Sequence, residues 1–443
     1  MDRKNEVLAG FKGKRVLVVG LGLQAGGVGI ASFFTKLGAK VRVTDLKTES
    51  ELDTSIEELK QYKIEYTLGQ HKLEDFLNTD CIFKGPGVPW NLPEIKEAEK
   101  KGVPIELEAS FVVSLLNCKT IGVTGTRGKS TTTQLIYEVL KKSGKKVYIG
   151  GNVSGASTIN LLNIINEKDI LILELSSWAL SGFHRKKISP NIAVFTNFYP
   201  DHLNYYKTLG DYLFDKKAIF MYQKKDDYCV VNKTLEKYFN FNEIKSQKII
   251  FSKNTKFDFK YLKGEHNQEN ANAILSVTKI FGIDYSKACE IISNFTGLPF
   301  RQQIVKKIGN IMFINDSTST TPTSTIEAIR TFSDKPIFLI MGGNSKNLPY
   351  DQLINQLGIV KKIILIKGSF TDLIKDKLLN KYPDKTSKVY HNLEDAVSYA
   401  FKECSKLDKQ SCLLFSPGAT SFASFKNEFD RGKVFNNILN QIL

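Results

Sequence analysis

The segment Ile121-Gly-Val-Thr-Gly-Thr-Arg-Gly-Lys-Ser-Thr131 constrains this chain more than any other. An apolar run over residues 120–123 gives way to a glycine-rich turn and then to a helix-forming stretch over 131–142. A strand, a turn and a helix N-terminus in that order gather backbone N–H groups around one point, which is how a polyphosphate is cradled. Gly125, Thr126, Arg127, Gly128, Lys129, Ser130 and Thr131 therefore read as a nucleoside-triphosphate loop. Lys129 is placed to reach the terminal phosphates, and the Ser130 hydroxyl to help hold Mg²⁺. The spacing departs from the general P-loop pattern, because the residue five before Gly128 is Val123. The local form is the shorter Thr-Gly-Thr-x-Gly-Lys-Ser.

A chain of 443 residues exceeds a single core. Hydrophobic and charged contents of 42% and 24% are those of a soluble globular protein. No apolar run approaches the roughly 18–20 residues that cross a bilayer. The start, Met-Asp-Arg-Lys-Asn-Glu, lacks a signal-peptide core, so a cytoplasmic protein without a membrane partner is expected. The six cysteines are scattered with no Cys-x-x-Cys pair, which argues against a metal cluster or a disulfide framework. A net charge of +16 invites a nucleic-acid reading. Only eight of the 62 basic residues are arginine, however, and the lysines are spread along the chain. A lysine-rich solvated surface and small anionic substrates fit better, with no nucleic-acid partner.

Strand and helix signals alternate throughout, which predicts an α/β protein with mostly parallel sheets. Three domains are expected, over 1–117, 118–298 and 299–443. The first opens with a buried strand over 14–19, then Gly20-Leu21-Gly22-Leu23-Gln-Ala25, a helix and a second strand ending at Asp45. This is a Rossmann-like βαβ unit, with its acid 25 positions after the first glycine. Gly26, Gly27 and Gly29 are expected to lengthen the turn. The central P-loop domain adds strands over 147–149, 170–174 and 192–196, leading into Asn152, Glu174-Leu-Ser176 and Asp201-His202. Residues 222–264 give only short strand-like pieces. The last domain, also Rossmann-like, has strands over 311–315, 337–341, 363–366 and 412–416.

Glu174 ends a strand 44 residues after Ser130, where a phosphate-bound Mg²⁺ needs an acid. His202, after the next strand, suits a metal or a phosphate. Lys216 and Lys217 share a helical pattern, and composition does not choose between them. Asn267 and Asn270 lie three apart on one helix face, where amides can read an adenine edge. Arg301 and Lys346 suit phosphate charge, and Asp316 suits ribose hydroxyls. His71, His184 and His391 read as surface residues.

Together these motifs resemble the Mur ligase family over essentially the whole chain. Gly20-Leu-Gly-Leu23 is similar to its uracil and diphosphate loop, and Thr124–Thr131 to its ATP loop. Asn152, Ser176, Glu174 and His202 are similar to its substrate and Mg²⁺ positions. Tyr212-x-x-x-Lys216-x-x-Ile-Phe220 resembles the site of its carbamylated lysine, which selects Lys216. His266-Asn-x-x-Asn270, Leu298-Pro-Phe-Arg301, Asn315-Asp-Ser317 and Gly342-Gly-Asn-Ser-Lys346 resemble its adenine, phosphate, ribose and amino-acid motifs, and Thr320 and Ser421 fall in its amino-acid pocket. Thr318 stands where the family usually carries Lys, and Glu428 where Phe commonly stands.

The resemblance implies a UDP-sugar domain, an ATP domain and an amino-acid domain, with Asp45 on the nucleotide and a metal set of Ser130, Glu174, His202 and carbamylated Lys216. It implies an ATP- and Mg²⁺-dependent ligase, expected as a monomer, that adds D-glutamate to UDP-N-acetylmuramoyl-L-alanine through an acyl phosphate during peptidoglycan precursor synthesis. Other readings stay open at this point: another step or amino acid within the family, folylpolyglutamate synthase, a nicotinamide-binding dehydrogenase domain, or a nucleotide sensor. The second is disfavoured by the long segment before the P-loop, and the third leaves the P-loop unexplained. A sensor would not need Glu174, His202 and Lys216 together.

Overall fold

The structure is a computed structural model that describes residues 3–22, 25–153, 157–201, 205–253, 255–257, 259, 265–345, 348–421, 425 and 427–442. Three open sheets carry the fold. The first contains β1 (Arg15–Val19), β2 (Lys40–Asp45), β3 (Ile64–Leu68), β4 (Cys81–Lys84) and β5 (Ile105–Glu106), all parallel, in the order β3-β2-β1-β4-β5. The central sheet contains β6 (Lys119–Thr124), β7 (Val147–Gly151), β8 (Ile170–Glu174), β9 (Ile192–Phe195), β10 (Tyr228–Asn232) and β11 (Gln247–Phe251). Its order is β11-β10-β9-β6-β8-β7, again all parallel.

The third sheet contains β12 (Gln303–Ile308), β13 (Ile311–Asn315), β14 (Ile337–Gly342), β15 (Lys362–Ile366), β16 (Thr386–Tyr390) and β17 (Ser411–Phe415). Its order is β12-β13-β17-β14-β15-β16, and β12 runs antiparallel to β13. The chain forms two compact units, one reaching Asn294 and the other running from Phe295 to Leu443.

The strands that read as continuous apolar runs are those buried on both faces, as crossover helices require. Every residue of Ile-Leu-Ile-Leu-Glu in β8 is buried, whereas edge strand β11, Gln-Lys-Ile-Ile-Phe, exposes most of its length. Helix Glu108–Leu115 joins the first two sheets and buries Phe111, Val112 and Leu115 in a core that both sheets share. Phe34, Phe83 and Phe111 meet there at ring separations of 4.6–6.2 Å. In the second unit, separate clusters cover the two faces of the third sheet.

Some expectations change. Gly26, Gly27 and Gly29 do not extend the first turn but lie within helix Ala25–Lys36, where a Cβ on Gly27 would sit 2.3 Å from Leu21 O. A side chain on Gly29 would overlap Ser157 of the central sheet's layer. The segment over 222–264 supplies the buried strand β10 and the edge strand β11, whose mixed composition reflects its exposure. Among the described residues no helix is long and apolar enough to cross a membrane. Cys81, Cys118, Cys229, Cys404 and Cys412 are buried thiols outside any disulfide.

Candidate functional site

In both sheets of the first unit, the chain reverses its direction of strand addition beside a central strand, and ligands of open α/β sheets bind at the carboxyl ends of the strands there. In the central sheet that strand is β6, flanked by β8 and β9. The loop after β6 runs from Gly125 to Gly128, and Lys129 opens a fourteen-residue helix, Lys129–Lys142. The helix therefore starts two residues before the sequence pattern indicates. Ser130 and Thr131 lie in its first turn, half-buried.

Asn197, just beyond β9, holds the loop on three sides. It accepts from Thr126 N at its carbonyl (3.1 Å) and from Arg127 N at Oδ1 (2.9 Å), and it donates from Nδ2 to Arg127 O (3.0 Å). Thr196 Oγ1 donates to Arg127 O as well, at 2.9 Å. Gly128 caps the helix at φ +80°, and a Cβ there would sit 2.5 Å from Asn270 Oδ1. Asn270 and Asn267 are buried on helix Glu265–Ile280, with Asn270 Nδ2 donating to Asn267 Oδ1 at 3.3 Å. Both strain and overlap oppose a side chain at Gly128. Gly128→Ala is expected to raise KM for ATP at least tenfold, at about 1–3 kcal/mol of backbone cost, and to leave KM for the other substrates unchanged; steady-state kinetics in each substrate check this.

Two lysines converge on this loop. Lys129 Nζ donates to the carbonyls of Gly125 and Thr126, both at 3.1 Å. Lys216 Nζ donates to the same Gly125 O at 2.8 Å and approaches Thr124 Oγ1 at 3.4 Å. Lys216 is 1% exposed on helix Leu209–Met221, against the ring of Tyr212. Burial, reinforced by the Lys129 charge, holds its ammonium well below the usual lysine range, while Asp201 and Asp215 pull the other way. Lys217, by contrast, pairs with Glu243 away from the loop. The structure thus distinguishes two lysines that composition left equal.

Glu174 is buried at the end of β8, in register with Val123 of β6 and Gly151 of β7. Its carbonyl accepts from Asn152 N at 2.8 Å. His202, Leu23 and Lys346 lie outside the described residues.

The first sheet reverses at β1 and β4, and a cavity of about 360 Å³ lies at their carboxyl ends. Gly20, Leu21 and Gly22 form one wall, Gly85 and Pro86 a second, and Asn152 and Ser176 reach it from the central sheet. Asp45 braces the first wall, accepting from Gly22 N at 3.2 Å and Lys47 N at 3.0 Å. Ser176 also caps helix Ser177–Lys186, accepting from Ala179 N. Five residues that the family resemblance nominated for the UDP-sugar, Gly20, Leu21, Gly22, Asn152 and Ser176, therefore share one cavity.

In the second unit, Asp316 follows β13 and is buried. Gln302 N donates to its Oδ1 at 3.0 Å, and Ser319 Oγ and Ser416 Oγ donate to Oδ2 at 2.5 and 2.7 Å. Burial raises its carboxyl to about 6. A ribose hydroxyl would share oxygens that already brace the loop. Arg301 sits between Phe300 and Gln302, whose φ values of +62° and +46° are unusual for residues other than glycine. Thr318 holds that bend, donating to Phe300 O from its backbone N (3.0 Å) and Oγ1 (2.8 Å). Arg431 ties Ser317 to Ala419 through their carbonyls, and so sets the loops that carry Thr320 and Ser421. Ser421 Oγ is buried and makes no hydrogen bond among the described residues.

Comparison with known proteins accounts for these features together. Residues 123–297 match the Mur ligase middle domain, and residues 14–106 the Mur ligase MurD-like N-terminal domain. A UDP-N-acetylmuramoylalanine–D-glutamate ligase from Borreliella burgdorferi (strain ZS7) is 37% identical, covering 98% of this chain and 99% of its own. The chain belongs to the Mur ligase family. A ligase of the same name from Acetivibrio thermocellus is 32% identical over 99% and 98% of the two chains. The crystal structure of UDP-N-acetylmuramate–alanine ligase from Thermotoga maritima shares the fold with a TM-score of 0.53, at 19% identity over 97% of this chain and all of that one.

Sequence reasoning on this Mur ligase missed several residues. Asn197, the main brace of the phosphate loop, gave no signal beyond its place after an apolar strand. Glu108 lines the cavity and accepts from Ser157 Oγ and from Ile159 N (2.9 Å), contacts formed only by the fold. His71 and His184 are not free surface residues. His71 Nδ1 bonds Thr44 Oγ1 at 2.8 Å, and His184 stacks on Phe214 while bonding Tyr222 OH at 2.9 Å. No group of three or more His, Cys, Asp or Glu side chains gathers as a metal site among the described residues.

Proposed function

We propose that this Mur ligase joins D-glutamate to UDP-N-acetylmuramoyl-L-alanine at the expense of ATP. The observation that carries the reading is the convergence of Lys129 and Lys216 on one carbonyl of the phosphate loop, beside Glu174 and next to the cavity lined by Gly20–Gly22, Asn152 and Ser176. The names of relatives that span both chains end to end support the choice of substrate.

A carboxylate acylates an amine only after activation. The terminal carboxylate of the sugar-nucleotide substrate attacks the γ-phosphorus of ATP, forming an acyl phosphate and ADP. The incoming amine then displaces phosphate, forms the amide and loses a proton. The backbone N–H groups at the start of helix Lys129–Lys142 hold the phosphates, and the Lys129 ammonium offsets the charge that gathers on the transferring group. Ser130 and Glu174 are the residues that would hold Mg²⁺, with Lys216 as its carbamate; the ion supplies charge neutralisation for phosphoryl transfer. Asn267 and Asn270 suit the adenine edge. Arg301 suits phosphate, and Thr320, Lys346 and Ser421 suit the amino acid.

The test is phosphate release from ATP with UDP-N-acetylmuramoyl-L-alanine, Mg²⁺ and a panel of D- and L-amino acids. Release that depends on D-glutamate and exceeds every other amino acid is the expected result. Release driven by another amino acid would reassign the substrate, and no amino-acid-dependent release would overturn the activity.

A further inference from the structure

One buried cation, next in the chain to the cavity-lining Gly85, has no role in the chemistry above. Lys84 closes β4 and is 1% exposed. Among the described residues its ammonium meets no carboxylate within hydrogen-bonding distance. It donates to Val88 O at 2.7 Å and Gly85 O at 3.4 Å, and lies 4.3 Å from the Trp90 ring centre. The Arg185 guanidinium stacks on the same ring at 3.6 Å, and Trp90 Nε1 donates to Ser181 Oγ at 2.8 Å. Arg185 and Ser181 both belong to helix Ser177–Lys186, which begins beside the cavity-lining Ser176.

A buried ammonium is costly, and an apolar side chain of similar volume often serves stability as well or better. What a lysine adds here is geometry. It draws two carbonyls of one turn, Gly85 and Val88, onto a single nitrogen. That turn gives Gly85 and Pro86 to the cavity wall, and its Val88 methyl would lie 3.2 Å from a Cβ on Gly20 in the opposite wall. Trp90 then fastens the same segment to the central sheet's helix. Burial and Arg185 lower the Lys84 ammonium to about 7, the electrostatic cost of placing it there.

We propose that Lys84 is a positioning residue for the sugar nucleotide, fixing the Gly85–Val88 turn at the separation from Gly20–Gly22 that the ligand's diphosphate and sugar require. The proposal rests on the reading of this cavity as the UDP-sugar site. Among the described residues the hydrogen bonds of Lys84 go to the Gly85–Val88 turn and not to the phosphate loop, so its effect is expected on one substrate.

Lys84→Met in the full-length protein is the decisive variant, because it keeps the volume and removes the donors. KM for UDP-N-acetylmuramoyl-L-alanine is expected to rise about tenfold, the worth of a charged hydrogen bond, with kcat and KM for ATP within about twofold. Calorimetric titration with UDP should show the same loss without turnover, and the Tm should hold or rise. Lys84→Gln, which keeps N–H donors, should recover part of the affinity, and it serves as the comparison if the Met variant does not fold. Unchanged KM and UDP affinity in a folded variant would overturn the proposal, as would an equal fall in kcat and both affinities. A wild-type protein that binds UDP but releases no phosphate would remove the activity and leave the Lys84 comparison readable by titration. One that does not bind UDP would remove both.

Discussion

Lys129→Ala is expected to lower kcat by about 10²–10³-fold, the usual effect of deleting one preorganised group that stabilises transition-state charge. The lysine stands at the N-terminus of a helix whose first N–H groups already favour an anion. Its ammonium is parked on the Gly125 and Thr126 carbonyls at 3.1 Å, ready to exchange those contacts for phosphate oxygens. KM for the sugar nucleotide should change little, since that cavity is lined by other residues. The Tm should also hold, because Asn197 and Thr196 brace the loop without the lysine. Rapid-quench measurement of acyl-phosphate formation checks the step affected. Wild-type kcat in Lys129→Ala would remove the residue from phosphoryl transfer.

The same substitution has a second consequence. The Lys129 charge is one cause of the lowered Lys216 ammonium, so its removal lets Lys216 hold its proton more tightly. The two lysines share Gly125 O and are not independent. The effects of Lys129→Ala and Lys216→Ala on ATP affinity, measured by calorimetric titration, should therefore fall well short of additive in the double variant.

How far the site was legible in sequence follows from how local each feature is. The Thr124–Ser130 loop and the Gly20–Gly22 turn depend on strand, turn and helix being adjacent in the chain, and both stood out. The α/β class followed from buried strands such as β8, whose unbroken apolar run needs no partner to be read. Edge strands were harder. β11 exposes Gln247, Lys248 and Ile250, so its composition resembles a loop, and antiparallel β12 carries Lys306 and Lys307. Asn197 and Glu108 act through partners 49 or more positions away, and Lys84 through a turn whose shape the sequence does not display. Gly27 and Gly29 misled for the opposite reason, since glycine marks a turn and a close-packed helix start alike.

Lys216→Ala is expected to abolish measurable ligation, and added bicarbonate should not restore it. The physical basis is the state of the side chain. A lysine 1% exposed, with no carboxylate within hydrogen-bonding reach among the described residues, has its ammonium lowered well below the usual range by burial and by the Lys129 charge, which shifts it toward the neutral amine. The neutral amine is the form that adds carbon dioxide, RNH₂ + CO₂ giving RNHCOO⁻ and a proton. The product converts a buried neutral group into an anion beside Thr124 and the phosphate loop, where a cation bound to ATP needs an oxygen ligand. Wild-type protein given ¹³C-bicarbonate should therefore show a carbamate carbon signal that Lys216→Ala lacks and Lys217→Ala retains. Depleting carbon dioxide should slow the wild type reversibly. Lys217→Ala should keep near-normal turnover, because that side chain pairs with Glu243 outside the loop. A Lys216→Ala protein with wild-type turnover, or a labelled signal that survives the substitution, would place the anion elsewhere. If the signal is absent from wild type while Lys216→Ala is inactive, the amine itself must serve, donating to phosphate as it now donates to Gly125 O.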